Sequence, residues 1–170
     1  LAAVGLETGS SLSSTIEIDA PSEIVWQRIT EPGHLKHCHP FCARNVIERW
    51  PGKGARDRIK YHSGREYVRN FVSWLEDVGY DIELGDRPDA TARVQWRITA
   101  APKSTSQLSI EVFPYLQSVL PKAKKIKYQS RFFSHDLEHY LECVTKGVAF
   151  WILTGKDVEK DQFGANSLYS

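Results

Sequence analysis

The feature that most constrains how this chain folds is a long apolar stripe close to its C-terminal end. Five aliphatic residues recur there at spacings of four, three, four and four positions: Leu137, Leu141, Val144, Val148 and Ile152. This spacing places them along one face of a helix. A helix over residues 133–154 would be about 33 Å long, enough to span a small domain. The stripe therefore predicts one long helix that covers the rest of the chain.

Aromatic and glycine residues add detail to this predicted helix. Four aromatic side chains widen its apolar surface: Phe133, Tyr140, Phe150 and Trp151. Gly147 lies mid-helix, where glycine costs roughly 1 kcal/mol relative to alanine, and we expect it to face the sheet or a ligand. The rings of Tyr140 and Trp151 should hold the helix off the sheet and leave room for a methyl group at Gly147. Gly155 is a natural helix end.

Before this helix the hydrophobic pattern changes to a period of two, which is typical of strands. The strand candidates are residues 15–19, 46–50, 56–61, 65–75, 80–84, 91–100 and 108–112. In the clearest of them Val94, Trp96 and Ile98 face one way and polar residues face the other. One dry and one wet face indicate an antiparallel sheet that is covered on a single side. A helix that begins near Pro21 follows the first strand, and residues 34–42 should be half helix and half loop.

Composition and charge exclude several classes of protein. The 170 residues, 41% of them hydrophobic, fit one domain with a sizeable core. A net charge of +1 gives no global attraction to nucleic acid. No apolar run approaches the roughly 18 residues of a membrane span, and residues 1–14 lack the features of a secretory signal. Three cysteines, an odd number, favour reduced thiols and a cytoplasmic location.

Short motifs follow one another along the chain in a recognisable order. They are A-P-x-E-x-V-W at 20–26, P-G-H-L at 32–35, W-P-G-K-G at 50–54, Y-x-R-x-F at 67–71, G-Y-D at 79–81, and K-G, T-G and Q-F-G from 146, 154 and 162. Together they resemble the START and birch-pollen-allergen superfamily, also called SRPBCC, and its polyketide cyclase/dehydrase-like branch. The resemblance covers about residues 15–165, which we expect to form a single domain after a flexible lead-in over 1–14.

The resemblance implies a helix-grip fold of the α+β class, in which a curved antiparallel sheet wraps around a long C-terminal helix. Members of the superfamily bind lipids, sterols, polyketides or other apolar molecules between sheet and helix, and only some are enzymes. It therefore implies an apolar small-molecule ligand and no cofactor. The aromatic residues on the predicted strands and helix would enclose such a cavity. The candidate ligand-binding residues are His39, Phe41, Asp57, Tyr61, Tyr67, Arg69, Phe71, Trp96, Tyr140, Cys143, Gly147 and Trp151.

A tight turn at residues 62–64 predicts how two strands pair. If His62-Ser63-Gly64 is a three-residue loop, Ile59 faces Tyr67 and Asp57 faces Arg69. Arg69 would then share a strand face with large aromatic residues. Because a buried charge needs a partner, we expect Asp57 and Arg69 to form an ion pair inside the cavity or at its rim.

Three other groups of residues suggest chemistry, and for each the plainer interpretation is favoured. Five potential metal ligands lie within nine residues: His34, His37, Cys38, His39 and Cys42. Their spacing matches no standard zinc finger, so we expect no metal. Ser134-His135-Asp136 is a helix-entry cap or polar face, because consecutive helical residues point about 100° apart. Cys143 is predicted to be a core thiol rather than a nucleophile.

A basic cluster precedes the long helix and consists of Lys122, Lys124, Lys125, Lys127 and Arg131. It could touch an anionic membrane, at most transiently, but a solvated face is favoured because the net charge is near zero. The leading hypothesis for function is binding of a hydrophobic small molecule. A cyclase- or dehydrase-type enzyme and a protein-interaction module are the alternatives. Convergent polar groups in the cavity would favour the enzyme, and a filled cavity with an exposed apolar patch would favour the interaction module.

Overall fold

A computed structural model describes residues 5–132 and 135–170 of the chain and consists of an antiparallel sheet and four helices. The strands are β1 (Leu6–Thr8), β2 (Leu12–Ile18), β3 (Cys42–Arg49), β4 (Arg56–Tyr61), β5 (Glu66–Leu75), β6 (Gly79–Leu84), β7 (Ala92–Ala101) and β8 (Thr105–Gln117). The helices are α1 (Ser22–Ile29), α2 (Leu35–Cys38), α3 (Lys122–Phe132) and α4 (His135–Thr154). The order of strands in the sheet is β1-β8-β7-β6-β5-β4-β3, and β2 also pairs with β8. The predicted α+β helix-grip fold is confirmed.

The pairing of β7 with β8 shows how the period-two pattern builds the core. Val94 lies opposite Val112 and Trp96 lies opposite Ile110, and all four side chains are buried. The polar residues between them alternate outward, as the pleat of a strand requires. The inner face of the sheet is therefore apolar and needs a cover.

Helix α4 supplies that cover. Leu141, Val144 and Val148 of the predicted stripe are buried, and the helix packs across β2 and β8. It ends as expected, because Gly155 has a positive φ of +69° and its N–H donates to the Trp151 carbonyl at 2.8 Å. The predicted start of the helix at Phe133 lies outside the described residues. Among the described residues, no helix is long and apolar enough to cross a membrane.

The two ends of the chain differ from the prediction. Leu6–Thr8 and Leu12–Ile18 both pair with β8, so a wholly loose lead-in over 1–14 is wrong. Beyond α4 the chain packs back on α2 and the sheet. The N–H of Val158 donates to the His37 carbonyl at 2.8 Å, and Asn166 is buried. The packed domain therefore continues past residue 165.

The predicted room at Gly147 is also wrong. This residue faces α2 rather than the sheet or the cavity. A Cβ atom added there would clash with the backbone carbonyl oxygen of Cys38 and lie 3.2 Å from Pro40 Cδ. Glycine is thus present because the backbones of α2 and α4 approach each other closely.

Candidate ligand-binding site

A cavity of about 270 Å³ lies between the inner face of the sheet and α4. One wall is aliphatic and comes from β6–β8 and α4. Its members are Ile82, Leu84, Val94, Ile110, Val112, Leu137, Leu141 and Val144. Three further lining residues, Thr91, Arg131 and Leu168, are exposed and mark the mouth of the cavity. The site therefore offers an apolar interior with access from solvent.

The opposite end of the cavity, next to β4 and β5, is polar. Six side chains from five parts of the chain meet there: His39, Tyr61, Tyr67, Arg69, Tyr140 and Tyr169. The ring of Tyr169 lies 4.5 Å from the rings of both Tyr61 and Tyr140, measured between centroids. The C-terminal tail thus completes this end of the cavity.

His39, Tyr140 and Tyr61 form a chain of hydrogen bonds. The backbone N–H of Phe41 donates to His39 Nδ1 at 3.2 Å. His39 Nε2 lies 2.9 Å from the Tyr140 hydroxyl, which lies 3.0 Å from the Tyr61 hydroxyl. Because Nδ1 accepts, the neutral ring carries its proton on Nε2 and donates it to Tyr140. Burial, with a smaller contribution from the nearby Arg69 charge, lowers the pKa of His39 to about 3, so the ring is neutral at pH 7.

The predicted pair of Asp57 and Arg69 is confirmed. The residues lie opposite each other in the β4–β5 register, and so do Ile59 and Tyr67. Arg69 Nε and Nη2 donate to the two Asp57 carboxylate oxygens at 2.7 and 2.6 Å, and both side chains are buried. Burial alone would raise the pKa of Asp57, but the attraction of Arg69 and the hydrogen bonds it donates outweigh that effect and lower the pKa. The charge of Arg69 is therefore compensated behind the cavity wall.

Tyr61 and Tyr140 remain protonated at all ordinary pH values. Burial raises the pKa of both phenols, and their proximity to each other raises that of Tyr61 further. Neutral phenols can donate one hydrogen bond and accept others. The polar end of the cavity thus presents hydrogen-bonding groups without an uncompensated charge.

Six of the twelve predicted ligand-binding residues line the cavity: His39, Tyr61, Tyr67, Arg69, Trp96 and Tyr140. Contact of any of them with a ligand stays a prediction.

The other six lie away from the cavity lining, each for a visible reason. Phe41 stacks on Tyr140 from the side of α2, Asp57 lies behind Arg69, and Phe71 lies under the Arg69 guanidinium. Cys143 is buried against the tail, with its Sγ 3.5 Å from the Phe163 carbonyl, and Trp151 stacks on His37. Gly147 contacts α2.

Sequence reasoning missed the contribution of the tail to the site. Leu168 and Tyr169 line the cavity, yet the last residues of the chain show no strand or helix period that would predict packing. Only the amphipathic character of Tyr169 itself was available as a signal, because tyrosine combines an apolar ring with a polar tip. The sequence pattern groups Arg131 with the basic cluster, whereas the structure places it at the mouth of the cavity.

The histidine and cysteine cluster does not converge on one point. His34 is buried and its Nδ1 lies 3.0 Å from the Glu31 carbonyl, whereas His37 is near the surface and bonds Asp157 at 2.7 Å. Over residues 5–132 and 135–170, no three metal-ligating side chains are grouped closely enough to hold an ion. The absence of zinc stays a prediction. Ser134 and the side chain of His135 lie outside the described residues.

The architecture defines the class of protein. An open antiparallel sheet that grips a C-terminal helix around an apolar cavity is the helix-grip fold. Residues 10–138 match the model of the family described as polyketide cyclase/dehydrase and lipid transport, and the chain belongs to that family. The sequence matches no curated protein at a significant level.

Solved structures share the fold at low sequence identity. Norcoclaurine synthase from Thalictrum flavum is 13% identical with a TM-score of 0.67, over 91% of this chain and 99% of that one. A protein of unknown function from Staphylococcus aureus is 14% identical with a TM-score of 0.64, over 88% and 97% of the two chains. A START superfamily protein from Mycobacterium smegmatis is 14% identical with a TM-score of 0.59, over 87% and 100%.

Proposed function

We propose that this protein binds a neutral, largely apolar small molecule in the cavity between the sheet and α4. The observation that carries the proposal is the division of the cavity into a long aliphatic wall and a small polar end. Ligand sites of proteins are typically apolar with a few placed polar groups that fix orientation. Among the described lining residues, the charged ones are Arg69, paired with Asp57, and Arg131 at the exposed mouth. A neutral ligand is therefore favoured over an ion.

The family and the shared fold support this class of function. The family is described by polyketide cyclase, dehydrase and lipid transport activities, all of which involve apolar or weakly polar molecules. Norcoclaurine synthase, which shares the fold, has been solved as a point mutant in complex with a transition-state analogue. The fold is thus compatible with both carriers and enzymes. The chemistry of the residues that line the cavity in this chain is what distinguishes the two functions.

An enzyme is the second candidate, because His39, Tyr140 and Tyr61 converge on one end of the cavity. A general acid or base works best when its pKa is near the working pH. The pKa of His39 lies at about 3 and both of its ring nitrogens are already engaged, while burial raises the pKa of the two tyrosines. These groups suit recognition of a ligand better than proton transfer, and binding is the favoured function.

An interaction module is less well supported. Exposed apolar side chains do occur, among them Val119 and Ile126. That hypothesis, however, requires a filled interior, and the cavity is open. The three cysteines are free and buried, which supports a reducing, cytoplasmic location as part of the proposal.

The test is binding of a neutral apolar dye such as Nile red, together with native mass spectrometry of the purified protein. Val144 lines the cavity, so Val144→Trp should fill it and abolish dye binding and any co-purified ligand mass. Leu153 lies on the same helix but is 53% exposed, so Leu153→Trp is the matched control and should bind like the wild type.

A second variant that fills the cavity keeps the test informative if Val144→Trp does not fold. Ala92 of β7 is buried and lines the cavity from the sheet rather than from α4, and Ala92→Leu should also weaken dye binding. Circular dichroism has to show that each variant is folded. Wild-type protein that binds no dye, or a folded Val144→Trp variant that binds it with unchanged affinity, would contradict the proposed function.

A further inference from the structure

The hydrogen-bond chain at the polar end of the cavity contains one more donor hydrogen than it has hydrogen bonds. Its donors are the Nε2–H of His39 and the hydroxyl groups of Tyr140 and Tyr61, which makes three hydrogens. The three groups are joined by two hydrogen bonds. Among the described residues, the two tyrosine hydroxyls have no other hydrogen-bond partner. One hydroxyl proton is therefore left without an acceptor.

The direction of the chain shows which proton this is. The Phe41 N–H donates to Nδ1 of His39, so Nε2 has to donate to the Tyr140 oxygen. Hydrogen bonds in a chain strengthen one another when each group both accepts and donates. Tyr140 then donates to Tyr61, and the Tyr61 hydroxyl is the last donor of the chain. Tyr61 lines the cavity, so this proton is available to a ligand.

We propose that the Tyr61 hydroxyl donates a hydrogen bond to an oxygen atom of the ligand, and that the ligand class is a neutral apolar molecule with a carbonyl oxygen at its inner end. This inference rests on the proposed binding function. A buried hydroxyl without an acceptor is costly, so a ligand that brings one gains affinity.

The neighbouring groups select against charged ligands. A carboxylate placed at Tyr61 would be buried, and Arg69, the cation at this end of the cavity, already has its counter-ion in Asp57. A protonated amine would be a buried cation without a counter-ion, because the two Asp57 oxygens already receive hydrogen bonds from Arg69, and one also receives one from Asn45. A carbonyl oxygen accepts without bringing a charge, which is what this end of the cavity can satisfy.

Two probes of nearly the same shape separate the contribution of a ligand oxygen to affinity from the contribution of the apolar rings. Fluorenone carries a carbonyl group where fluorene carries a methylene group. The affinities of both would be measured by calorimetry or fluorescence for the wild type, Tyr61→Phe and Tyr115→Phe. Tyr115 also donates its hydroxyl hydrogen, to Glu83, but lies outside the cavity, and it is the matched control. We expect Tyr61→Phe to weaken fluorenone binding roughly threefold to tenfold and to leave fluorene binding unchanged.

A vibrational measurement on the wild type does not depend on the folding of any variant. The carbonyl stretch of bound fluorenone should appear at the lower frequency of a hydrogen-bonded ketone, and it should shift to the apolar-solvent frequency in Tyr61→Phe. A bound ketone at the apolar frequency in the wild type overturns the proposal, and so does an equal loss of both probes in a folded Tyr61→Phe variant. Either result leaves the cavity itself intact as a site. Failure of fluorene to bind the wild type would instead count against the proposed function.

Discussion

At the scale of single residues, the buried ion pair of Asp57 and Arg69 is the strongest test of how the cavity wall is stabilised. Asp57→Ala removes the counter-ion of a buried guanidinium, and we expect a loss of about 3–5 kcal/mol in the free energy of unfolding. Urea titration followed by tryptophan fluorescence measures it. Glu31→Ala is the control, because Glu31 and Arg28 form an exposed pair, and exposed pairs contribute little.

The double variant Asp57→Leu/Arg69→Met tests the reason for this loss. If the cost comes from an uncompensated charge, removing both partners should destabilise the protein less than Asp57→Ala alone. A double variant that is less stable than the single one would show that the uncompensated charge of Arg69 is not the source of the loss.

Two buried histidines predict how stability depends on pH. Burial lowers the pKa of His34 and of His39 to about 3, well below the value of 6.5 in the unfolded chain. Between these values the unfolded state binds more protons, so stability is complete above pH 6.5 and falls as the pH decreases towards 3. The steepest slope for the two residues together is about 2.7 kcal/mol per pH unit. Loss from Asp57 follows only at lower pH, because its depressed pKa lies below 3.8.

Urea titrations between pH 7.5 and 4.5 measure this slope. His39→Gln should remove about half of it, since one of the two proton-binding sites of the unfolded chain is lost. His37→Gln is the control, because His37 is partly exposed and bonds Asp157 near the surface. If the slope is unchanged in His39→Gln, the His39 ring of the wild type takes up its proton as readily in the folded protein as in the unfolded chain.

At the scale of elements, the close contact of α4 with α2 decides the effect of a substitution at Gly147. Alanine would gain roughly 1 kcal/mol of helix propensity. Its methyl group, however, meets the rigid backbone carbonyl of Cys38 rather than a side chain that can move. We expect Gly147→Ala to destabilise the protein by about 1–3 kcal/mol through overpacking. Thermal unfolding measures this effect, and Lys146→Ala at the exposed neighbouring position should leave the melting temperature nearly unchanged.

The contrast between Gly147 and Arg69 shows which parts of the elements a sequence can predict. The partner of Arg69 follows from local rules, because a short turn at 62–64 sets the register of β4 and β5 and thereby brings Asp57 opposite. The neighbour of Gly147 comes from α2, more than 100 residues away, and no local period specifies that approach. The elements, their faces and the pairing of neighbouring strands were therefore predictable, but the contacts between elements distant in sequence were not.

At the scale of the whole molecule, the same distinction applies to the site. The aliphatic wall follows from the patterns of β6–β8 and of the α4 stripe. The polar end requires the tail to return across the sheet, where the Ser63 N–H donates to the Tyr169 carbonyl at 3.3 Å and Asn166 donates to the Asp136 carbonyl at 2.8 Å. These contacts join distant parts of the chain through single polar atoms. The spacing of hydrophobic residues in the sequence does not predict these contacts.

The C-terminal tail should slow the release of a ligand, because its Tyr169 covers one end of the cavity. Tyr169 packs on Tyr61 and Tyr140 and covers the polar end. Each aromatic contact contributes about 0.5–1.5 kcal/mol beyond area burial, and Tyr169→Ala removes two contacts and the buried area as well. It should therefore lower the free energy of unfolding by at least about 1–3 kcal/mol. It should also let a bound apolar dye dissociate faster, since one wall of the site is lost. Stopped-flow dilution measures dissociation, with Lys160→Ala at an exposed position after α4 as control. Dye release at the wild-type rate from a folded Tyr169→Ala variant would show that the tail packs on the cavity without closing it, and that a ligand is retained by α4 and the sheet alone.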